Sequence, residues 1–388
     1  MDANSPLIYL DNNATTRIAP EVFEAMVPHL TEQYGNPSSA YRFAKAAAEA
    51  IKTAREQVAA LLHCQPRQIY FTSCGTESNN LAITAALRVS GHRHVVLTEV
   101  EHSANIKMGE WLEEQGYGVT WLRVDAHGRL SLEDVAAALR EDTAVVSVMW
   151  ANNETGTLFP VEEIARLCAE RKILFHTDAV QAPGKIPLDL SDSPIDFLSL
   201  SGHKLHAPKG VGVLYARRGT KLRPYVMGGG QENGKRGGTE NVASIVGLGR
   251  AAELAAENLV DEQTRVRALR DRLEAGLLER VPGLRVNGDA ENRLPNTTNL
   301  AFTGVEAEAI LLALDRQGIC ASAGSACTTG ALEPSHVLTA MGLSPDLARS
   351  CLRFSLSHYT TEAEVDTALE VIPRIVAELK DQSVRPAA

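Results

Sequence analysis

The chain has 388 residues, 44% of them hydrophobic, and a formal net charge of -10. This length predicts two domains, and the negative charge argues against nucleic acid or an anionic membrane as the main partner, because both need a basic surface. The first residues lack a basic segment followed by an apolar one, and no apolar run reaches the roughly 18 residues of a membrane span. We therefore expect a soluble, cytoplasmic protein.

The first half of the chain alternates between helical and strand-like segments. An Ala-rich stretch at 43–62 has apolar residues at helical spacing, and helical segments such as 131–140 and 160–171 follow it. Seven short apolar segments have strand character: 68–73, 94–99, 119–124, 143–150, 173–178, 197–202 and 210–217. Strands that alternate with helices predict an α/β fold with a mostly parallel sheet covered on both faces.

The last two of these strands predict one departure from a parallel sheet. Only HKLHAPK (203–209) separates them, whereas a parallel crossover needs about a dozen residues. We therefore expect the seventh strand to run antiparallel to its neighbours, in a mixed seven-stranded sheet.

The pattern changes after about residue 245 and predicts a smaller α+β domain. Long helical stretches at 265–281 and 362–380 enclose shorter apolar segments. We expect a large domain over 15–260 and a small C-terminal domain over 261–388, to which the N-terminal segment 1–14 is joined.

Five polar clusters directly follow predicted strands: CGTES (74–78), EHSAN (101–105), NNETG (152–156), HTDAVQ (176–181) and SGHK (201–204). In open α/β sheets, ligands bind at the carboxyl ends of the strands. Convergence of five clusters on one edge therefore predicts a pocket there.

Three side chains in these clusters are candidates for chemistry. Lys204 is either a surface lysine or a desolvated amine that forms a Schiff base with a carbonyl cofactor. Asp178 is either a helix N-cap or the carboxylate that keeps a cofactor nitrogen protonated. His102 is either a structural histidine or an acid–base or ring-stacking group.

The six cysteines form no C-x-x-C pair, and a small buried side chain is the default expectation for each. Cys327 is the exception, because it lies in ASAGSACTTGALEPSHV (321–337), whose first half is almost entirely Gly, Ala, Ser and Thr. We expect the loop at about 321–335 to be mobile and Cys327 to be an exposed nucleophile. Cys320 keeps the default expectation.

These motifs together resemble those of the cysteine desulfurases, fold-type I pyridoxal-phosphate enzymes of the class V aminotransferase group. The resemblance extends from YLDNNATT (9–16) and YGNPSS (34–39) through FTSCGTES, NNETGT, HTDAVQ, SLSGHK, RGGTEN (236–241) and GSACTTG to RFSLSHYTT (353–361). The extended SAGSACTTG loop and VMWANNETGTLFP are most similar to the nitrogen-fixation, NifS-type branch.

The resemblance implies a role for each matching residue. Lys204 would carry the pyridoxal 5'-phosphate cofactor, with Asp178 at the ring nitrogen, Gln181 at the ring hydroxyl and His102 stacked on the ring. The remaining roles are phosphate binding by Gly75, Thr76, Ser201 and His203, phosphate binding across a homodimer by Thr239, and substrate carboxylate binding by Arg353 with Asn153 nearby.

The implied reaction converts L-cysteine to L-alanine, and the Cys327 thiolate takes the sulfur as a persulfide. The sulfur would pass to an acceptor protein such as an iron–sulfur scaffold. The sequence leaves open which acceptor is used, nitrogenase or another, and whether Cys327 transiently holds an iron–sulfur cluster. The alternatives are a selenocysteine lyase, a transaminase or a sulfide-releasing C–S lyase, and a non-catalytic sulfur carrier. The first group needs no nucleophilic cysteine on a loop, and a carrier would not need Lys204, Asp178 and Arg353 together.

Overall fold

The computed structural model describes residues 7–323 and 334–384 of the chain. Its strands are β1 (Ile8–Tyr9), β2 (Ile69–Thr72), β3 (His94–Thr98), β4 (Gly118–Leu122), β5 (Thr143–Ser147), β6 (Leu174–Asp178), β7 (Phe197–Ser201), β8 (Gly212–Ala216), β9 (Leu284–Asn287), β10 (Thr297–Phe302), β11 (Ile319–Cys320) and β12 (Cys351–Ser355). Its helices are α1 (Pro20–Thr31), α2 (Arg42–Leu61), α3 (Gly75–Ser90), α4 (Ser103–Glu114), α5 (Leu132–Ala138), α6 (Val161–Glu170), α7 (Gln231–Gly234), α8 (Val242–Glu257), α9 (Leu259–Asp261), α10 (Arg267–Arg280), α11 (Ala307–Arg316), α12 (His336–Ala340), α13 (Pro345–Arg349) and α14 (Glu362–Val384).

Seven strands form the main sheet, in the order β2-β8-β7-β6-β5-β3-β4. Strand β8 is antiparallel to both β7 and β2, while the remaining pairs are parallel. The seven predicted strands and the reversed direction of the last one are thus confirmed. Every residue of β3, β5, β7 and β8 is buried, as expected for strands covered on both faces by helices.

A second, smaller sheet has the antiparallel order β12-β10-β9, and β1 pairs in parallel with β11. The residues Ile8 and Leu10 belong to the same apolar core as α10, α11 and α14, so the start of the described chain packs with its C-terminal part. This core is separate from those that flank the main sheet. The separation supports the expected two-domain division, whose boundaries at 14/15 and 260/261 stay a prediction.

Helical structure continues with few interruptions from α8 through α9 and a π-helical turn at Glu262–Val266 into α10. The predicted boundary near residue 260 falls inside this stretch, so a change of composition could not mark it sharply. None of the helices in the described ranges is both long and apolar enough to cross a membrane.

Candidate active site

A cavity of about 320 Å³ lies at the carboxyl ends of the main-sheet strands. All five polar clusters contribute side chains to it, as their strand-end positions predict. The predicted site residues that line it are Gly75, Thr76, His102, Asn153, Asp178, Gln181, Ser201, His203, Lys204 and Arg353. Their proximity is a finding, whereas the individual roles assigned to them remain predictions.

Lys204 reaches the cavity from a tight 3₁₀ turn, Gly202–Lys204, directly after β7. A Cβ at Gly202 would lie 2.8 Å from Val211 Cγ1, so this close packing requires glycine. Lys204 Nζ donates hydrogen bonds to the backbone carbonyls of Asn13 at 2.5 Å and Ala14 at 2.7 Å. The amine is therefore held in place by the N-terminal segment.

Asp178 ends β6, and the residue is only 5% exposed. One oxygen accepts a hydrogen bond from Asn79 Nδ2 at 2.7 Å, and the other accepts one from the Val180 backbone N–H at 3.0 Å. A carboxylate with two donors and no cationic partner among these bonds is suited to a ligand N–H. Gln181, one turn further on, donates from Nε2 to the Asn13 carbonyl at 3.0 Å.

The N-terminus of α3 provides an anion-binding element at Gly75 and Thr76. A Cβ at Gly75 would lie 2.9 Å from Val180 Cγ2, so the backbone approaches its neighbour closely there. Burial and the nearby Lys204 and Lys209 cations lower the pKa of His203 to about 4. His203 is thus neutral at pH 7 and can donate or accept a hydrogen bond.

His102 is the N-cap of α4, and its Nδ1 accepts a hydrogen bond from the Ala104 backbone N–H at 3.1 Å. This bond assigns the proton of the neutral ring to Nε2. The half-buried ring lines the cavity, as a residue that stacks on a ligand ring must.

Arg353 lies on β12 of the smaller sheet and is only 2% exposed. Its guanidinium donates to the Asn153 carbonyl at 2.8 Å and to Asp11 Oδ1 at 2.7 Å. Its Nε is buried and has no hydrogen-bond partner among the described residues. A buried cation at the cavity wall with an unpaired N–H fits a carboxylate ligand.

Sequence reasoning missed Asn13, Glu154 and His336, which also line the cavity. Burial raises the pKa of the Glu154 carboxyl, which accepts a hydrogen bond from Ser335 Oγ at 2.6 Å. Asn13 and Glu154 belong to YLDNNATT and NNETG, but no spacing rule distinguishes them from their neighbours. Only the presence of Asn13 and Glu154 in these motifs could have indicated that they belong to the site.

The Gly-rich segment that contains Thr239 is bound to helices α3 and α2 by two ion pairs rather than lying free on the surface. Arg236 Nε donates to Glu77 Oε1 at 2.9 Å, and Glu232 pairs with Arg55 at 2.7 Å. Thr239 itself is exposed and is absent from the cavity lining. Its predicted role toward another subunit stays a prediction.

The cysteines depart from the default expectation of burial. Cys168 and Cys351 are buried, but the expectation is wrong for Cys64, Cys74 and Cys320, which are partly exposed. Cys74 also lines the cavity, because it precedes α3 at the end of β2. Cys327 and most of the predicted loop lie outside the described residues. Within the described ranges, no cluster of His, Cys, Asp or Glu could hold a metal ion.

The family model for class V aminotransferases matches residues 8–368. The chain belongs to this family. It is 56% identical to a cysteine desulfurase of Trichormus azollae, over 96% of this chain and 94% of that relative. It is 57% identical to the cysteine desulfurase NifS of Azotobacter vinelandii, over 97% and 94% of the two chains. A solved structure described as a NifS-like protein has a TM-score of 0.91 at 39% identity, covering 96% of this chain and 100% of that one.

The cofactor of this class V enzyme is pyridoxal 5'-phosphate. The cavity offers a partner for three reactive or polar parts of this cofactor: the Lys204 amine for the carbonyl carbon, the buried Asp178 carboxylate for the ring nitrogen, and the N-terminus of α3 for the phosphate. Asn79 Oδ1 beside Asp178 is buried without a partner among the described residues. The side chains present therefore fit this cofactor.

Proposed function

We propose that the protein is a cysteine desulfurase that converts L-cysteine to L-alanine and supplies sulfur for iron–sulfur cluster assembly. The observation that carries the proposal is the near-full-length identity to proteins named cysteine desulfurase, which is 56% over 96% of this chain. The cavity supports it, because it places an amine, a buried carboxylate and a buried guanidinium around one space.

The bound cofactor supplies an electron-withdrawing ring that stabilises negative charge next to the substrate amino group. Lys204 would hold it covalently, Asp178 would keep its ring nitrogen protonated, and Gln181 would bind its ring hydroxyl. His102 would stack on the ring. The N-terminus of α3 with Thr76, Ser201 and His203 would bind the phosphate.

Substrate binding is assigned to Arg353, whose buried Nε lacks a partner among the described residues and whose other nitrogens are already oriented by Asp11 and Asn153. The substrate carboxylate would pair with this guanidinium, and the substrate amino group would then face Lys204. The Lys204 amine would accept the α-proton once the substrate has displaced it. His102 Nε2 carries the ring proton and would donate it within the same cavity.

Sulfur transfer is assigned to Cys327. Its thiolate would attack the substrate sulfur, the C–S bond would break, and the carbon would gain a proton to give L-alanine. Cys327 would retain the sulfur as a persulfide for transfer to an acceptor. The products L-alanine and protein persulfide together contain the atoms of L-cysteine and the protein thiol, so no external oxidant or reductant is needed.

Mass spectrometry of the Cys327 peptide after incubation with L-cysteine tests the proposal. We expect one added sulfur atom on Cys327, and none on the same peptide of Cys327→Ala, which should keep the cofactor absorbance. Cys320→Ala is the matched control and should still form persulfide on Cys327. Release of free sulfide at the full rate by Cys327→Ala would instead favour a C–S lyase.

We further propose a homodimer in which Thr239 reaches the phosphate held by the other subunit. Support comes from a run of exposed apolar side chains in residues 18–43, including Phe23 at 55%, Leu30 at 59% and Tyr34 at 75% exposed. Light scattering should give twice the chain mass, and Phe23→Asp with Leu30→Asp should shift it toward one chain mass. A wild-type chain that remains monomeric at micromolar concentration would contradict the dimer.

The cellular setting is also part of the proposal. We place the enzyme in the cytoplasm, with an iron–sulfur scaffold as the sulfur acceptor. The similarity to a relative named NifS supports a scaffold that serves nitrogen fixation. Transfer of labelled sulfur from Cys327 to candidate scaffolds tests this choice.

A further inference from the structure

Lys185 is a buried cation beside the cofactor cavity that the proposed reaction does not use. Its side chain is only 7% exposed, and it makes no salt bridge among the described residues. Its Nζ donates instead to Gln181 Oε1 at 2.7 Å and to Asn13 Oδ1 at 3.3 Å. Burying an ammonium group with only amide partners is costly, so a lysine at this position suggests a specific task.

Some charged groups around Lys185 destabilise its protonated form, and one stabilises it. Burial is the main cause that lowers the pKa of Lys185 to about 7; the Lys204 and Arg353 cations act in the same direction, and Glu262 acts against them. The side chains of His206 and His358 line a small cavity between Lys185 and Glu262. Near pH 7 the Lys185 amino group can therefore donate hydrogen bonds in both its neutral and its protonated form. The protonated fraction decreases above that pH.

The two contacts of Gln181 decide which end of its amide faces which neighbour. A backbone carbonyl only accepts hydrogen bonds, so the amide atom at Asn13 must be the nitrogen, and the amide oxygen then faces Lys185, which donates to it. The amide nitrogen then donates to the Asn13 backbone carbonyl at 3.0 Å, an oxygen that also accepts from Lys204 at 2.5 Å. With one N–H used there, the second N–H of Gln181 is the group left for the cavity that this side chain lines.

We infer that Lys185 is a positioning residue that holds the Gln181 amide with an N–H, not its oxygen, toward the ring hydroxyl of the bound cofactor. The inference deepens the proposed function, because it rests on the proposed contact between Gln181 and that hydroxyl. An N–H donor stabilises the deprotonated form of the ring oxygen, whereas a rotated amide would oppose it. Lys185 thereby influences the protonation of the cofactor without touching it.

The test is the pH titration of cofactor absorbance in the holoenzyme. In Lys185→Met the amide oxygen loses its donor and only the Asn13 carbonyl still holds the amide, so we expect the midpoint to rise by roughly half to one pH unit, the size of one net hydrogen bond. Met fills the same space and removes a buried charge, so the variant should fold. Lys52→Met, at an exposed position of α2 that is 67% exposed, is the matched control and should keep the wild-type midpoint.

A double-mutant cycle separates positioning from a purely structural role. If Lys185 acts through Gln181, Lys185→Met should cause no further shift when Gln181 is already Ala. An unchanged midpoint in Lys185→Met, or an equal shift in the Gln181→Ala background, would overturn the inference. Should Lys185→Met fail to bind cofactor, Lys185→Gln is measured against the same criteria. Failure of the proposed function looks different, because Cys327 would then gain no sulfur while these midpoints still moved.

Discussion

Lys204 Nζ lies 2.5 Å from the backbone carbonyl oxygen of Asn13 and donates a hydrogen bond to it. Asn13 in turn bonds the smaller sheet, because its backbone N–H donates to Ser355 Oγ at 2.9 Å and its Nδ2 donates to Thr297 Oγ1 at 2.8 Å. One residue of the N-terminal segment therefore connects the lysine turn of the main sheet to the sheet that carries Arg353.

Asn13→Ala should destabilise the protein and impair the site. The side chain is 1% exposed, and its loss leaves Lys185 and Asn296 each without one partner. We expect the free energy of unfolding to fall by roughly 2–4 kcal/mol, measured by urea denaturation. Asn13→Asp keeps the oxygen acceptor and should lose less unfolding free energy. Equal stability of Asn13→Ala and the wild type would contradict the prediction.

Borohydride reduction of the purified holoenzyme should fix the cofactor on Lys204. The protein should be yellow before reduction, and peptide mapping by mass spectrometry should find the added mass at Lys204 alone. Lys209→Ala, a change at an exposed lysine beyond the same turn, should not alter the result. Attachment at any other lysine would refute the assignment.

Arg353→Lys should strongly lower the activity toward L-cysteine, although the substitution keeps the positive charge. An ammonium group cannot keep the contacts with Asp11 and Asn153 and also present a second N–H to a carboxylate. We expect kcat/KM to fall by roughly 10²- to 10³-fold, mostly through KM, in a steady-state alanine assay. The control Arg349→Lys, at a surface pair with Asp346, should retain wild-type kinetics.

Asp178→Asn should leave the fold intact but reduce turnover. The Asn79 amide can rotate, since its Oδ1 has no present partner among the described residues, and so can accommodate the new amide. A neutral amide cannot keep the ring nitrogen protonated, so we expect kcat to fall by about 10²-fold or more at full cofactor occupancy. Near-wild-type turnover by a fully loaded variant would remove Asp178 from its proposed role.

The buried histidine of β6 should contribute to acid sensitivity. His176 is fully buried between Ser147 Oγ at 2.7 Å and Ser199 Oγ at 2.9 Å, and burial lowers its pKa to about 3. The unfolded chain binds a proton here below its ordinary pKa of 6.5 while the folded chain does not, so stability falls as the pH falls from 6.5 toward 3.

Comparison of the wild type with His176→Gln isolates the contribution of His176 to the pH dependence of stability. The variant should lose about 1.4 kcal/mol per pH unit of that dependence, seen as a shallower slope of unfolding free energy between about pH 4 and pH 6. The exposed His92→Asn provides the control. Identical slopes for wild type and His176→Gln would show that the folded protein protonates His176 as readily as the unfolded chain.

Local patterns were sufficient for the main sheet. Apolar runs and loop lengths predicted all seven strands and the reversed direction of β8, because strand character and crossover length are short-range properties. The strand-end rule also brought Asp178, Lys204 and His102 to one cavity, since parallel strands place their carboxyl ends at a common edge. The motifs that resemble those of cysteine desulfurases then indicated which reaction these residues would serve.

Only the tertiary structure decided how distant segments complete the site. The Asn13 carbonyl that binds Lys204 has no signature in the sequence, because every residue has a carbonyl. Arg353 forms hydrogen bonds with Asp11 and Asn153, which are far from it in the chain. Cys74 is partly exposed, although burial is the usual expectation for a cysteine side chain. Local sequence determines which segments become strands and helices, whereas burial and hydrogen-bond partners depend on the packing of residues far apart in the chain.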